Sequence, residues 1–417
     1  MGQEITFKII NVMNLIIIWI LCTGRILAQN LPSLLSSKNI YTTFSITAYD
    51  STTQEWGIAV ATNNIYVGNS TVYIEPGIGA FSVIAETDPI YAMNGFKHLK
   101  QGQSIEHAIM YTKNTDPEYY NRQVAGIDHQ GNVFAFTGDA LKFWKGNANH
   151  KLGHHYVVMG NQLAGQVLDK MAEAFEKSMG SLAQRLLISI TAGQKAGGQI
   201  TGKQSAALMI KGNMNEWFNQ IDLRVDNSKS PIAELTKLLN YHYGRITLNQ
   251  AIFAIKAKDT IMGKSLLVKA IGLVEGWDGI YTKIAKAYII LGDENSAVNT
   301  ILKAMKVNPK WKETLPAYYF LLNHPKMKAH NQSNGYTLKD WYLAINFLTE
   351  INRNKDAIEL STKILERYQD SSFLYYLIGK SYYNLNDGFN SKINLQKAIR
   401  LDTSNAEAIK LLNEIGN

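Results

Sequence analysis

Hydrophobic and polar positions alternate strongly at the start of the stretch from Thr43 to about Asn240. FSITAYD (Phe44–Asp50) alternates, the polar STTQE (Ser51–Glu55) interrupts it, and WGIAVAT (Trp56–Thr62) resumes. That pattern predicts a two-stranded hairpin. VYIEPGIGAFSVIAET predicts a second strand pair about Pro76 and Gly77, and QVAGIDHQGNVFAFTG a third, turning at Asp128–Asn132. Residues 95–112 read as helices broken at Gly102 with Ser104 as N-cap, and Leu163–Ser178 and Leu182–Ala192 are helical by spacing. Gln204–Gly212 and Ile221–Asp226 read as strands, and Pro231–Asn240 begins a helix. Hairpins and paired helices in this order predict antiparallel sheets covered by helix layers, an α+β architecture rather than a doubly wound parallel sheet.

After about Tyr243 the strand pattern gives way to helical spacing that repeats every 34 residues. In Asp278–Trp311, the residues Tyr281, Ile284, Ala285, Tyr288, Ala297, Ile301, Ala304 and Pro309 stand at the offsets of a tetratricopeptide repeat. Ser372–Asn405 matches with Gly379, Tyr382, Leu395 and Ala398; Leu338–Ser371 matches with Trp341 and Ala357. Gly244–Trp277 is a weaker copy holding Ala251, Gly263, Leu267 and Ala270. Residues 312–337 break the period as a degenerate unit with an inserted loop, and Ala406–Asn417 reads as a capping helix. Small residues let paired helices approach, and the large ones fill the gaps between them. Such an array presents a surface suited to a protein or peptide partner, or else shields the preceding domain.

The amino-terminus changes the picture of where the chain resides. Lys8 precedes the apolar run Leu15–Leu21 (LIIIWIL), and Ala28 follows at a signal-peptidase-like position. The run is shorter than the ~20 residues a membrane span requires. A signal peptide over 1–28, cut after Ala28, therefore predicts a secreted or periplasmic protein without a stable membrane span; an uncleaved anchor holding a membrane-bound scaffold is the alternative. Cys22 is the only cysteine, so the mature chain would hold no disulfide, thiolate metal site or Cys nucleophile. The net charge of +8 is spread without a basic run, which speaks against nucleic acid.

Motifs for phosphate loops, HExxH metalloproteases and G-x-S-x-G nucleophile elbows are absent from the sequence. The histidine cluster His150, His154 and His155 (HKLGHH) reads as a solvated loop, since adjacent histidines usually point apart and no acidic residue stands near; no metal and no cofactor is expected. Asp128 reads as a turn residue. Arg122, Arg224 and Asp226 are candidates for buried pairing.

Several strings taken together are similar to the bacterial family DUF1028. They are TFSITAYD, WGIAVAT, GIGAFS, DPIY, RQVAGID, FTG, GNQLAG, AGG, QSAAL and DLRVD, in that order between Thr43 and Asp226. The resemblance implies a four-layer αββα sandwich related to the N-terminal-nucleophile hydrolases over residues 43–243; the signal cut leaves 29–42 as a leader, and the 34-residue period makes 244–417 helical repeats. In that superfamily the first residue of the mature chain is the nucleophile, and its freed α-amino group is the base. Family members that begin Met-Thr-Phe-Ser would expose the threonine matching Thr43. The resemblance makes Thr43 the candidate nucleophile of an amide or peptide hydrolase, with Arg122, Asp222 and Arg224 as polar support. In this chain fourteen residues, Gln29–Thr42, stand before Thr43, so a cut between Thr42 and Thr43 is required. The sequence departs from the family pattern at Ile84 and Ile90, at Gln199-Ile200-Thr201, and at Asn227 and Ser228. Losing charged or amide groups there weakens a site more than a fold. The alternative is therefore a catalytically inactive binding protein whose β-branched Thr42 and Thr43 simply open a strand.

Overall fold

The structure, a computed structural model, describes residues 42–216, 219–330 and 335–416; the signal-peptide and leader expectations, Thr42 apart, lie outside them. The chain divides into two compact units between Leu239 and Asn240.

The first unit carries ten strands: β1 (Thr43–Asp50), β2 (Glu55–Thr62), β3 (Val72–Glu75), β4 (Gly79–Ala85), β5 (Arg122–Asp128), β6 (Val133–Thr137), β7 (Asn147–Gly153), β8 (Tyr156–Leu163), β9 (Ser205–Gly212) and β10 (Ile221–Val225). Among them lie helices α1 (Ile90–Lys100), α2 (Ile105–Thr115), α3 (Val167–Lys177) and α4 (Leu182–Lys195). One sheet runs β10-β9-β2-β1-β8-β7 and the other β3-β4-β5-β6, with antiparallel pairing throughout. Trp56, Ile58 and Val60 of the first sheet meet Ile84 and Ile127 of the second in a shared core. Phe81 and Val83 turn the other way, against Tyr91 and Ile109 of α1 and α2. On the far face of the larger sheet Gly57 lets α4 approach: a Cβ there would stand 2.5 Å from Leu186 and 3.1 Å from Leu182. The order of layers is helix, sheet, sheet, helix, the αββα sandwich expected.

Two local expectations are corrected. The HKLGHH string is the end of β7 and the turn into β8, and the rings of His154 and His155 stack 3.9 Å apart instead of diverging. Leu163 ends β8 rather than opening a helix, because all eight residues of β8 are buried in the sheet; the helix starts at Val167. Ser104 caps α2 as expected, accepting the His107 amide at 3.1 Å.

The helix α5 (Pro231–Lys256) spans the division. Behind it follow α6 (Thr260–Leu273), α7 (Tyr281–Leu291), α8 (Glu294–Val307), α9 (Leu338–Glu350), α10 (Asn354–Leu365), α11 (Ser372–Asn384), α12 (Gly388–Leu401) and α13 (Ala406–Gly416). The paired helices close on small residues: a Cβ on Gly379 would stand 2.8 Å from Leu395 of the partner helix. Residues turning from one helix to the next adopt positive φ at Lys258 and Gly292, and again at Asn352 and Asn386, each pair one 34-residue period apart. Asp259, Asp293 and Asp387 follow as N-caps, each accepting an amide at 3.0 Å. Across the interruption, Pro309–Asn323 forms two 3-10 stretches kinked at Tyr318 that bury Leu315, Tyr318 and Leu321; much of the expected inserted loop is therefore packed core. No helix among the described residues is long and apolar enough to cross a membrane.

Candidate functional site

Thr43 opens β1 opposite Thr62, the last residue of β2. Strand parity turns Thr43, Ser45 and Thr47 toward the layer between the sheets, where Ser82 Oγ donates to Ser45 Oγ at 3.2 Å. Thr43 is 4% exposed. Its amide N–H donates to Asn161 Oδ1 at 3.1 Å, and its hydroxyl lies 3.1 Å from that of Thr62. Thr62 Oγ1 in turn donates to the carbonyl oxygen of Thr42 at 2.5 Å. Because that bond uses the only proton of Thr62, Thr43 is the donor between the two hydroxyls. The Thr42 carbonyl also accepts from Gln199 Nε2 and from the Asn63 amide at 3.2 Å. Three donors therefore converge on the carbonyl of the peptide bond that joins Thr42 to Thr43.

Asn161 is held by Gln123, with Asn161 Nδ2 donating to Gln123 Oε1 at 3.2 Å. Gln123 reaches from β5 across to the other sheet. Its amide nitrogen is ringed by Thr137 Oγ1 and Asn149 O at 2.9 Å and Gly160 O at 3.1 Å. Thr137 Oγ1 lies 2.9 Å from His150 Nδ1. Burial pushes the His150 imidazole below its ordinary pKa, toward the neutral ring. His150 also lines a cleft of about 400 Å³ together with Asn147, Asn149, Lys151, Gln166 and Asp169. The partners that touch Thr43 are thus hydroxyls and amides. Among the described residues no group of three or more His, Cys, Asp or Glu side chains gathers as metal ligands would.

Residues 43–235 match the family of unknown function DUF1028. The sandwich is a DUF1028 domain. Residues 279–310 match a tetratricopeptide repeat. Among solved structures the chain is similar to protein SPO2555 from Silicibacter pomeroyi, itself matched to DUF1028, at 29% identity over 48% of this chain and 84% of that one, with a TM-score of 0.44. It is also similar to MamA from Desulfovibrio magneticus RS-1, at 17% identity over 42% of this chain and 83% of that one, TM-score 0.20. A third is YrrB, described as a TPR protein with an unusual peptide-binding site, at 14% identity over 40% and 90% of the two chains, TM-score 0.23. Among curated proteins none matches.

The DUF1028 domain does not gather the four anticipated residues. Arg122 is the neighbour of Gln123 on β5 and so faces the opposite side of its sheet. There it bonds Asp116 at 3.0 Å and the Glu86 carbonyl at 2.9 Å, with Asp88 and Glu118 within 3.8 Å. Asp222 and Arg224 pair with each other at 3.2 Å on the edge strand β10, both substantially exposed. Arg224 stands opposite Ala207, which in turn faces Val60 and then Ser45. Three strand spacings put it roughly 14 Å from β1. The groups that do surround Thr43 are Thr42, Thr62, Gln123, Asn161 and Gln199. All but Thr42 lie in or beside strings that carry the family resemblance (WGIAVAT, RQVAGID, GNQLAG and the turn at AGG), so the signal was present but uncharged.

Arg122 instead makes a structural clamp. Burial raises the Asp116 carboxyl, but hydrogen bonds from Arg122, the Glu118 amide and the Tyr91 hydroxyl outweigh it, and Asp116 titrates below its ordinary range. A depressed carboxylate contributes stability that is present above the unfolded value of about 3.9 and lost as pH falls through the folded one. Asp116→Asn should therefore cost about 1–3 kcal/mol near neutral pH. Urea midpoints of wild type and variant should converge as pH falls through the depressed folded-state pKa of Asp116; a gap that stays constant with pH would contradict the clamp.

Proposed function

We propose that the DUF1028 domain is an amide hydrolase of the N-terminal-nucleophile type held in its uncut form, and that the tetratricopeptide repeats bind a protein partner. The observation that carries the first part is the convergence of three donors on the Thr42 carbonyl beside the Thr43 hydroxyl. Thr43 Oγ adds to the Thr42 carbonyl carbon. Its proton passes to Thr62 as Thr62 gives its own to the developing oxyanion, which Gln199 and the Asn63 amide also stabilise. Collapse breaks the C–N bond as the former carbonyl oxygen gives its proton back to Thr62 and Thr62 passes one on to the departing nitrogen of Thr43, leaving an ester and a free α-amine. Water then hydrolyses the ester to a Thr42 carboxylate and a free Thr43 hydroxyl. Gln199 Oε1, buried without a partner among the described residues, supplies an acceptor for that water. The freed α-amine, still beside Asn161, becomes the base for external peptide-type amides.

Export fits this reading. The charged and apolar amino-terminal segment supports a signal peptide cut after Ala28, which leaves Gln29–Thr42 as the segment to be removed. Intact-mass measurement and N-terminal sequencing of exported protein test it. The expected chain begins at Thr43; one that still begins at Gln29 after long incubation would sink the hydrolase. Gln199→Ala should slow the cut by about 10²–10³-fold through loss of one oxyanion donor. A second reading, a non-catalytic binding protein, draws on the sealing of Thr43 behind Thr42, which is fully buried. It expects the uncut chain and no effect of Gln199→Ala on turnover.

A further inference from the structure

The helix α6 carries apolar side chains on both its buried and its exposed face. Its inner face, Gly263, Leu267 and Ala270, is buried against the end of α5. The two helices touch so closely that a Cβ on Gly263 would stand 2.5 Å from Ile255. The outer face and the tip of this helical hairpin leave Phe253 76%, Ile261 85%, Met262 55% and Val268 72% exposed. The rest of that face is polar, Thr260, Lys264, Ser265 and Lys269, so the apolar side chains form an exposed stripe on an amphipathic face.

The charges around this face indicate what covers it. Between Ile246 and Val274 the sequence has four lysines and one acid. The acid, Asp259, is spent as the cap of α6. Lys256 donates to the Glu350 carbonyl at 3.0 Å. Lys258, Lys264 and Lys269 are exposed and enter no ion pair among the described residues. An apolar stripe bordered by unpaired lysines on long alkyl stems matches an anionic lipid surface, into which apolar side chains sink while ammonium groups stay at the headgroups. We propose that the α5–α6 hairpin tip docks the protein peripherally on an anionic membrane, without spanning it. The hairpin then adds a membrane contact to a repeat array otherwise read as a protein-binding surface.

The test uses the full chain sedimented with vesicles of phosphatidylcholine alone or mixed with phosphatidylglycerol. Because the run Leu15–Leu21 can itself enter lipid, the readout is the difference between variants. Lys264→Ala with Lys269→Ala should weaken partitioning onto the anionic vesicles by about 30-fold, with little change on the neutral ones. Phe253→Ser with Val268→Ser should weaken it by tenfold or more, at about the unfolding temperature of wild type. Added salt should weaken wild-type binding. Variants that pellet like wild type overturn the proposal. So does a fall in the unfolding temperature of Phe253→Ser, which would show the face covered within the protein. A dimer in light scattering that this variant dissolves overturns it too, in favour of a second copy of the chain.

Discussion

Thr43→Ala is expected to yield a chain that folds and is never cut between residues 42 and 43. The substitution removes the nucleophilic oxygen and one bond, from Thr43 Oγ1 to Thr62. Thr62 keeps its own donation to the Thr42 carbonyl, so no buried donor is orphaned and the cost in stability is about 1 kcal/mol. The cut, in contrast, has no other hydroxyl among the described residues positioned to make it: Thr62 already donates to the carbonyl oxygen rather than standing free to attack. Thr43→Ser keeps the oxygen and should restore cleavage. Thr62→Val keeps the shape, removes the proton relay, and should slow cleavage by about 10²–10⁴-fold. Intact mass followed over time separates these. Cleavage of the Thr43→Ala chain at the same bond would assign the cut to an external protease and remove the self-cleaving part of the proposal. Where cleavage does occur, turnover of an external amide should rise with pH through about 7.7–8.0, the range in which an α-amine loses its proton and becomes a base.

The fold was legible where each element carried its own period. The β1–β2 hairpin followed from alternation, and the repeats followed from spacing; the left-handed residues at Lys258 and Gly292, and at Asn352 and Asn386, lie on the same 34-residue interval. The β7–β8 hairpin was not legible, because its turn is made by two histidines, one of them His155 at φ 60, rather than by glycine or asparagine. The candidate site was only half legible. Resemblance pointed to Thr43 with Arg122, Asp222 and Arg224 as polar support, but the groups that contact Thr43 are amides and hydroxyls, and the three charged residues pair elsewhere. Arg122 and Gln123 illustrate why. They are adjacent, both buried in their strand, and face opposite sides of one sheet; only the residue that faces the neighbouring sheet reaches Asn161 and, through it, the nitrogen of Thr43. Parity relative to the second sheet is a tertiary fact, and no local motif encodes it.

Trp56→Ala should produce the largest loss of stability in the sandwich, about 3–5 kcal/mol. Trp56 is 2% exposed, and its ring lies 4.7 Å from that of Tyr49. Its indole N–H crosses to the other sheet and donates to the Asp128 carbonyl at 3.2 Å. Asp128 organises the β5–β6 turn, its carboxylate accepting the Gln130 and Asn132 amides at 2.9 Å each, so the indole ties a turn of one sheet to a strand of the other. The Asp128 carbonyl retains the Gly131 amide at 3.2 Å; the loss is therefore mainly the cavity, with little from an orphaned acceptor. Trp56→Phe, which refills part of that volume, should cost clearly less. Trp56 also stands six residues along β2 from Thr62, roughly 20 Å away. Urea denaturation followed by near-UV circular dichroism should show the lowered midpoint, while intact mass under native conditions should show the wild-type rate of cleavage at Thr42–Thr43. An unchanged midpoint would mean that Trp56 does not join the sheets. Lost cleavage in a chain that remains folded would mean that the packing at one end of β2 sets the hydroxyl geometry at the other, and that the site depends on the whole strand rather than on its final residue.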